Sequence, residues 1–283
     1  MTDHLSATLG DPDHHQPKGR LVTLRTWLSE APFTLTLSSG YFGFFAHCGV
    51  LNALLEEGLT PASVTGSSAG ALVGGLWASG RAVDEIKSAL FELRREDFWD
   101  PGLGFGLLKG QLFEQHLSHL LGCEQFKETI VPLRVTAFQC NTLRARVFSE
   151  GALAPIIRAS CTFPGLFQPV WIEGRAYIDG GVSDRPGWAG LSPEVRVLYH
   201  HLVSRARLRS ALKMTQIPRR AHTAALVIRH LPRCAPHRLS AGPAAFAAAR
   251  EATLSALDQR LPRRPELGLA AMHLDAQKYL SSS

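Results

Sequence analysis

The feature that most constrains the fold is an order of elements that occurs twice near the start of the chain. An apolar, β-branched strand, Phe33–Leu37, leads into a small-residue turn and then into a segment whose apolar residues recur at helical spacing. The same order follows in the short strand 62–65, the turn 66–70 and the helix 71–78. Strands that alternate with helices predict an α/β fold with a mostly parallel central sheet.

The remaining pattern continues this alternation. Helices are predicted over 83–95, 111–121, 153–160 and 244–257, and strands over 133–139, 170–172 and 176–178. The glycine- and aromatic-rich stretch 98–110 is predicted to be a loop. We expect one domain over residues 31–260, preceded by a loosely ordered polar leader over 1–30 and followed by a tail over 261–283.

The turn Gly66-Ser67-Ser68-Ala69-Gly70 fits the pattern G-x-S-x-G with Ser68 at its centre. A sharp strand-to-helix turn exposes the central side chain, and small flanking residues avoid a clash there. The N-terminus of the following helix favours negative charge that develops near the serine. Ser68 is therefore a candidate nucleophile, and Ser67 is expected to face away. An ordinary turn is the alternative.

The stretch Ser38–Gly43 also follows a strand and opens a helix. A dinucleotide site would need the pattern G-x-G-x-x-G, but serine occupies its first position here. A serine nucleophile needs backbone N–H donors for a tetrahedral oxyanion, and Gly40 lets the main chain approach a substrate closely. We interpret the stretch as an oxyanion loop, with a plain strand-to-helix turn as the alternative.

A third cluster of motifs is the most specific. It comprises the block Arg158–Val170, which reads R-A-S-C-T-F-P-G-L-F-Q-P-V, and the segment Gly174–Val182, which contains Asp-Gly-Gly from residue 179. With the two turns, in this order, these motifs resemble the patatin-like phospholipase family. The resemblance extends from Leu35 to about Pro186.

The resemblance implies a three-layer α/β/α patatin-like fold with a mostly parallel central sheet, and a catalytic domain over 31–260. It implies a Ser68–Asp179 dyad without histidine that hydrolyses carboxylic esters of lipids (EC 3.1.1.-), as a phospholipase A or lysophospholipase does. An exposed aspartate is a weak base at neutral pH, so such a site must restrict solvent. The implied oxyanion donors are the amides of Ser39, Gly40, Tyr41 and Ala69, and the motif glycines are Gly43, Gly66, Gly70, Gly180 and Gly181.

Several positions depart from the family pattern. Ser38 and Ser39 stand where the oxyanion loop usually has glycine, Phe42 where it has a basic residue, Asp184 where asparagine is usual, and Gln139 where an acidic residue is frequent. Two alternatives therefore stay open. One is a non-catalytic or weakly active lipid-binding protein of this fold. The other is a Ser-His-Asp esterase that uses a downstream histidine, namely His200, His201, His222, His230 or His237.

Charge and composition bear on the partners. The formal net charge is +6, and six Lys and Arg residues lie between Arg205 and Arg220. This favours an anionic membrane surface, and no nucleic-acid-binding module is recognisable. The five cysteines form no C-x-x-C pair, and we expect neither a metal nor another cofactor.

The expected substrate is a lipid ester, and the stretch Phe98–Leu108 is expected to form an apolar entrance for its acyl chain. The chain shows neither a signal-peptide pattern nor a membrane-spanning one. We therefore expect a cytoplasmic protein that is peripheral at the membrane. The sequence gives no indication of an oligomeric state.

Overall fold

The computed structural model describes residues 21–203 and 217–280. The α-helices of this part of the chain are α1 Leu24–Glu30, α2 Phe44–Glu56, α3 Ala69–Ala78, α4 Val83–Glu92, α5 Gln111–Leu120, α6 Leu153–Cys161 and α7 Gly242–Leu257. The strands are β1 Thr34–Leu37, β2 Ser63–Ser67, β3 Gly106–Leu108, β4 Leu133–Gln139, β5 Arg144–Phe148, β6 Gly165–Phe167, β7 Val170–Ile172, β8 Arg175–Asp179, β9 Val197–Leu202, β10 Thr223–Arg229 and β11 Ala270–Asp275. None of the helices in these two ranges has the length and apolarity that a bilayer crossing requires.

Nine of the strands form one sheet in the order β11-β10-β9-β1-β2-β4-β8-β7, with β5 paired to β4 beside this path. The strands from β11 to β4 are parallel to one another. The strands β5, β7 and β8 are antiparallel to their neighbours. The predicted α/β fold with a mostly parallel central sheet is therefore confirmed. A separate two-stranded ladder pairs β3 with β6.

The central strands are buried on both faces of the sheet. Every residue of β1 is buried, and continuous burial of this kind is typical of parallel strands. Helices α2 and α7 lie against each other, and α3 packs against β2 and α2. On the other face, Tyr199 of β9 packs against Trp188, with ring centroids 4.9 Å apart.

In the first strand–turn–helix unit, a glycine stands at each end of the helix. Helix α2 begins directly after Gly43. Gly58, just beyond its last turn, adopts a left-handed φ of +70°, as a glycine that caps a helix does. The second unit follows the same plan, because α3 begins directly after Ser68.

The packed core extends beyond the predicted limits 31–260 at both ends. Helix α1 lies inside the predicted loose leader, and its Leu24, Trp27 and Leu28 are buried. Strand β11 lies inside the predicted tail and pairs with β10 along its whole length, with Met272 and Leu274 buried. These two expectations are corrected. Both elements are short, so their hydrophobic periodicity is weak, and burial against the rest of the chain stabilises them.

The structure adds detail to two other stretches. The predicted loop 98–110 contains the short strand β3. Most of the basic stretch between Arg205 and Arg220 lies outside the described residues, which omit 204–216. Of its last two arginines, Arg220 donates hydrogen bonds to the carbonyl groups of Ser192 and Val195.

Candidate active site

The candidate site lies where two strands meet end to end along one edge of β4. The last residue of β2, Ser67, is opposite Thr136, and β2 runs parallel to β4. The last residue of β8, Asp179, is opposite Ala137, and β8 runs antiparallel to β4. Since β5 occupies the other edge of β4 at these positions, β2 and β8 share one edge and point at each other. Residues 68 and 179, 111 positions apart in sequence, are thereby brought together.

Ser68 occupies the sharp turn between β2 and α3. Its φ of +53° and ψ of −120° are unusual for a residue other than glycine. Gly70 packs so closely beneath β1 that a Cβ at this position would overlap the carbonyl oxygen of Leu37. Gly66 faces the backbone of Gly70 across the turn. The small residues of the G-x-S-x-G pattern are therefore required by close backbone packing.

Ser68 and Asp179 form a direct hydrogen bond. The Ser68 hydroxyl donates to Oδ2 of Asp179 at 2.6 Å, and Oδ1 of the same carboxylate accepts the amide of Gly181 at 2.7 Å. Ser68 is 9% exposed and Asp179 is 5% exposed, so both groups are largely shielded from water. This arrangement can pass a proton from the hydroxyl to the carboxylate when the serine oxygen attacks an electrophile.

Three of the four predicted oxyanion donors have free amides. Within residues 21–203 and 217–280, the amides of Gly40, Tyr41 and Ala69 donate to no other group of the chain. All three residues line the same cavity as Ser68. Uncommitted backbone N–H groups are what a developing oxyanion requires. The amide of Gly43 donates to the carbonyl of Gly40 at 2.9 Å and closes the turn into α2.

Ser39 differs from these three residues and corrects the prediction. Its amide donates to the carbonyl of Arg185 at 2.8 Å, so this N–H is already used within the protein. Ser39 still lines the cavity. We therefore remove the Ser39 amide from the set of candidate oxyanion donors.

The segment after Asp179 passes tightly against the Ser68 turn. A Cβ on Gly180 would overlap the carbonyl oxygen of Thr136, and a Cβ on Gly181 would overlap the side chain of Ser39. Both motif glycines therefore stand where the backbone must approach its neighbours closely.

Asp184, which departs from the family pattern, organises the loop that follows. Its buried carboxylate accepts the hydroxyl of Thr136 at 2.9 Å and the amides of Gly187 and Ala189 at 3.1 and 2.9 Å. An aspartate offers two acceptor oxygens, so it satisfies several donors at once. Sequence reasoning noted the residue but missed this role, because its partners are identified only by the fold.

Two residues of α6 hold the backbone of Ser68, and neither was predicted to do so. The Ser160 hydroxyl accepts the Ser68 amide at 2.8 Å and donates to the Thr136 carbonyl at 2.7 Å. The Cys161 thiol donates to the Ser68 carbonyl at 3.2 Å. Burial raises the pKa of Cys161, and the charge of Asp179 raises it further, which keeps it a thiol. The only sequence signal was their place in the block that carries the family resemblance.

An apolar cavity of about 260 Å³ opens onto Ser68 and Asp179. Its walls are mostly aromatic and aliphatic side chains, which are Tyr41, Phe42, Phe44, Leu72, Leu93, Phe98, Phe113, Phe163, Leu166 and Phe167. A cavity of this composition fits an acyl chain. Of the predicted apolar entrance, Phe98 lines the cavity, whereas Phe105 and Leu107 are exposed to solvent.

A buried histidine pair lies beneath the loop Ser38–Gly43. The Nδ1 atoms of His47 and His200 are 2.8 Å apart, and Nε2 of His47 is 2.8 Å from the Ser38 carbonyl oxygen. A carbonyl only accepts, so His47 carries its proton on Nε2, and Nδ1 of His200 must donate to Nδ1 of His47. Burial lowers the pKa of both rings, that of His47 to about 4, so the pair is neutral at neutral pH.

None of the histidines weighed for a Ser-His-Asp triad belongs to the described residues that line the cavity with Ser68. The cavity lining contains no histidine among the residues described. His200 is engaged in the buried pair, and Nδ1 of His230 is 2.9 Å from a carboxylate oxygen of Asp275. The Ser68 hydroxyl donates its hydrogen bond to the carboxylate of Asp179.

Comparison with known proteins agrees with the motif analysis. The family model described as patatin-like phospholipase matches residues 35–190. An uncharacterized NTE family protein from Mycobacterium tuberculosis is 32% identical over 168 residues, which are 58% of this chain and 46% of the relative. Lysophospholipase nte1 from Emericella nidulans is 30% identical over 179 residues, which are 59% of this chain and 11% of the relative. The chain thus spans less than half the length of either relative.

Among solved structures, VipD from Legionella pneumophila is similar to this chain with a TM-score of 0.48 and 17% identity, over 64% of this chain and 52% of VipD.

Proposed function

The chain belongs to the patatin-like phospholipase family, and from that premise we propose that it is a lipid acyl hydrolase with Ser68 as nucleophile and Asp179 as base. The observation that carries this proposal is the 2.6 Å hydrogen bond between the two side chains, at the end of an apolar cavity. The proposed substrates are carboxylic esters of lipids, of the phospholipase A or lysophospholipase type. The proposed place of action is cytoplasmic, at a membrane surface.

In the acylation step, Oγ of Ser68 bonds to the ester carbonyl carbon while its proton moves to Oδ2 of Asp179. The carbonyl oxygen gains negative charge, which the amides of Gly40, Tyr41 and Ala69 stabilise. The N-terminus of α3 adds partial positive charge beside it. Collapse of the intermediate breaks the ester C–O bond, and the leaving alcohol takes the proton from Asp179.

In the deacylation step, a water oxygen bonds to the acyl carbon and one of its protons passes to Asp179. The same three amides stabilise the second oxyanion. When the bond between the acyl carbon and Oγ of Ser68 breaks, Oγ takes the proton from Asp179, and the fatty acid leaves. Because Asp179 acts as base and then as acid in each half of the cycle, a single carboxylate serves both halves.

The test is hydrolysis of a p-nitrophenyl ester by two variants. We expect Ser68→Ala and Asp179→Asn each to lower kcat/KM by about 10²-fold or more, because each removes a group that acts on the reacting atoms. The matched control is Ser67→Ala. Ser67 is adjacent and buried, and its hydroxyl has no hydrogen-bond partner among the described residues, so its loss should leave turnover near that of the wild type. Full turnover by either dyad variant would refute the assignment.

The non-catalytic alternative rests on the serines and Phe42 of the oxyanion loop. A fluorophosphonate probe separates it from the enzyme, because the probe bonds only to an activated serine. Labelling of the wild type that is lost in Ser68→Ala and kept in Ser67→Ala supports the hydrolase. Binding of lipid without any labelling would support a lipid-binding protein instead. Labelling that depends on a histidine of residues 200–237 would support the Ser-His-Asp esterase.

A further inference from the structure

An apolar hairpin tip stands out from the surface next to the cavity. We define the apolar tip as Leu103, Phe105 and Leu107. Leu103 is fully exposed, Phe105 is 92% exposed and Leu107 is 51% exposed. Large apolar side chains that are exposed together, rather than singly, mark an interaction surface.

The tip is held by polar contacts at its base. The amide of Gly102 donates to the Leu107 carbonyl at 3.1 Å, and Pro101 bridges to Leu108 across the hairpin. The side-chain amide of Gln168 donates to the carbonyls of Gly102 and Leu103 at 3.2 and 2.9 Å. These bonds fix the hairpin while its apolar side chains stay in solvent.

The tip is continuous with the mouth of the catalytic cavity. Strand β3, which carries Leu107, pairs with β6, and Leu166 and Phe167 of β6 line that cavity. Trp171 lies three residues after Gln168, which holds the hairpin, and its side chain is 72% exposed. Tryptophan side chains are favoured at the boundary between lipid and water.

The charge beside the tip suits phospholipid headgroups. Lys109 is exposed and its aliphatic chain lies against Gly102, which places its ammonium group next to the hairpin. The carboxylate of Asp100 is occupied by the amides of Gly110, Gln111 and Leu112 at the start of α5. An apolar tip beside a cation matches the layered chemistry of an anionic bilayer surface.

We propose that the apolar tip inserts into the surface of a phospholipid bilayer and sets the mouth of the cavity against the membrane, so that an acyl ester passes from the bilayer to Ser68. This inference rests on the proposed function for its substrate. The proposed partner of the apolar tip is a bilayer and not a second copy of the chain.

The test uses two measurements. The first is binding to sedimenting vesicles of phosphatidylcholine and phosphatidylglycerol, and the second is turnover of a short, water-soluble ester. We expect the double substitution Leu103→Ser and Phe105→Ser to lower vesicle partition by about 10- to 100-fold, because two large apolar side chains no longer leave water. Turnover of the soluble ester should stay within about twofold of the wild type, since neither residue lines the cavity.

The matched control is Leu267→Ser. Leu267 is 80% exposed but precedes β11, whose start lies at the opposite end of the parallel sheet from Ser68, so vesicle partition should be unchanged. Equal partition by the double variant and the wild type would overturn the inference. Self-association that the double substitution abolishes, without vesicle binding, would assign the tip to a second copy. If the soluble ester is not hydrolysed at all, the proposed function fails, while vesicle partition still decides the role of the tip.

The histidine pair carries a second, independent inference. The peptide group between Ser38 and Ser39 is held at both ends, because its carbonyl accepts from His47 and its N–H donates to Arg185, each at 2.8 Å. The next peptide group carries the Gly40 amide, which is free to point at an oxyanion. His200 donates to His47 and fixes the tautomer that can bond to Ser38.

We also infer that His47 is a positioning residue that orients the Gly40 amide, with His200 holding its tautomer. We expect His47→Leu to lower kcat on a soluble ester by about 10-fold, less than the full loss of an oxyanion donor, with KM within about twofold. His47→Gln should restore most of kcat, because the glutamine Nε2 can reach the Ser38 carbonyl. Fluorophosphonate titration counts the active sites, so that kcat refers to folded enzyme. Equal kcat in the leucine and glutamine variants would overturn the inference.

Discussion

At the scale of single residues, the buried histidine pair gives stability a dependence on pH whose sign follows from its surroundings. Burial lowers the pKa of His47 to about 4, against the smaller raising effect of its hydrogen bond to Ser38. Burial also lowers the pKa of His200, and His47 and His201 lower it further. A histidine in an unfolded chain has a pKa of about 6.5. The unfolded state therefore binds more protons between about pH 6.5 and pH 4, and stability is lost as the pH falls through that range.

We expect the free energy of unfolding to fall by about 2 kcal/mol through His47 between about pH 7 and pH 5, measured by urea titration at each pH. His200 should add to the loss in the same direction. The variant His47→Gln has no titrating ring at this position, so its stability should fall less steeply over the same interval. Identical slopes for wild type and variant would show that His47 is not the group responsible.

The residues of the candidate site were predictable to different degrees. Ser68 and Asp179 could be named as candidates because each stands in a short motif that carries the family resemblance, beside glycines that allow close backbone packing. The free amides of Gly40 and Tyr41 were predictable from the loop that holds them. The hydrogen bond of the Ser39 amide was not predictable, because its acceptor, the carbonyl of Arg185, is contributed by a loop that is distant in sequence. A backbone hydrogen bond of this kind leaves no mark on residue type.

The residues that support the site were missed for a similar reason. Ser160 and Asp184 satisfy backbone groups of the Ser68 turn and of the loop after Asp179. A serine in a helix and an aspartate in a turn are common, and they acquire these roles only when α6 and β4 bring their partners within hydrogen-bonding distance.

At the scale of elements, the convergence of β2 and β8 creates the site. The sequence predicts both strands, from the apolar stretches 62–65 and 176–178. It does not predict that they share one edge of β4 and run toward each other, because strand register and direction are set by the pairing partner and the connections between strands. The junction of the two strands, opposite Thr136 and Ala137, is what places the hydroxyl against the carboxylate.

Strand β9 shows why hydrophobic periodicity fails to identify some strands. All six residues of β9 are buried, including His200 and His201, whose polarity breaks the apolar pattern. A strand in the middle of a parallel sheet is covered on both faces, so it carries no alternation to detect. Only the neighbouring strands reveal that these histidines lie in the core, where ring hydrogen bonds involve both of them.

At the scale of the whole molecule, the chain beyond residue 260 stabilises the sheet. Strand β11 pairs with β10 and buries Met272 and Leu274. We expect a chain that ends at Gly268 to lose at least about 3 kcal/mol of unfolding free energy, because two large apolar side chains and the β10 edge lose their cover. The measurement is the urea midpoint, compared with that of the full chain.

The control for this truncation lies on the same strand. His273 is exposed, so His273→Ser should leave the midpoint almost unchanged, whereas the joint substitution Met272→Ser and Leu274→Ser should approach the effect of the truncation. A truncated chain that unfolds at the same urea concentration as the full chain would mean that β11 is a passive tail, as its sequence suggests.

The sequence by itself determined the α/β class and the two strand–turn–helix units, and the resemblance of its motifs to the family pointed to Ser68 and Asp179 as candidates. The first two depend on local chemistry, namely hydrophobic periodicity and small residues where the backbone is crowded. Only the tertiary structure decided that the two side chains are 2.6 Å apart, which loop amides remain free, and that α1 and β11 belong to the core. The physical reason is that hydrogen-bond partners and burial come from segments far apart in the chain, and no local pattern records them.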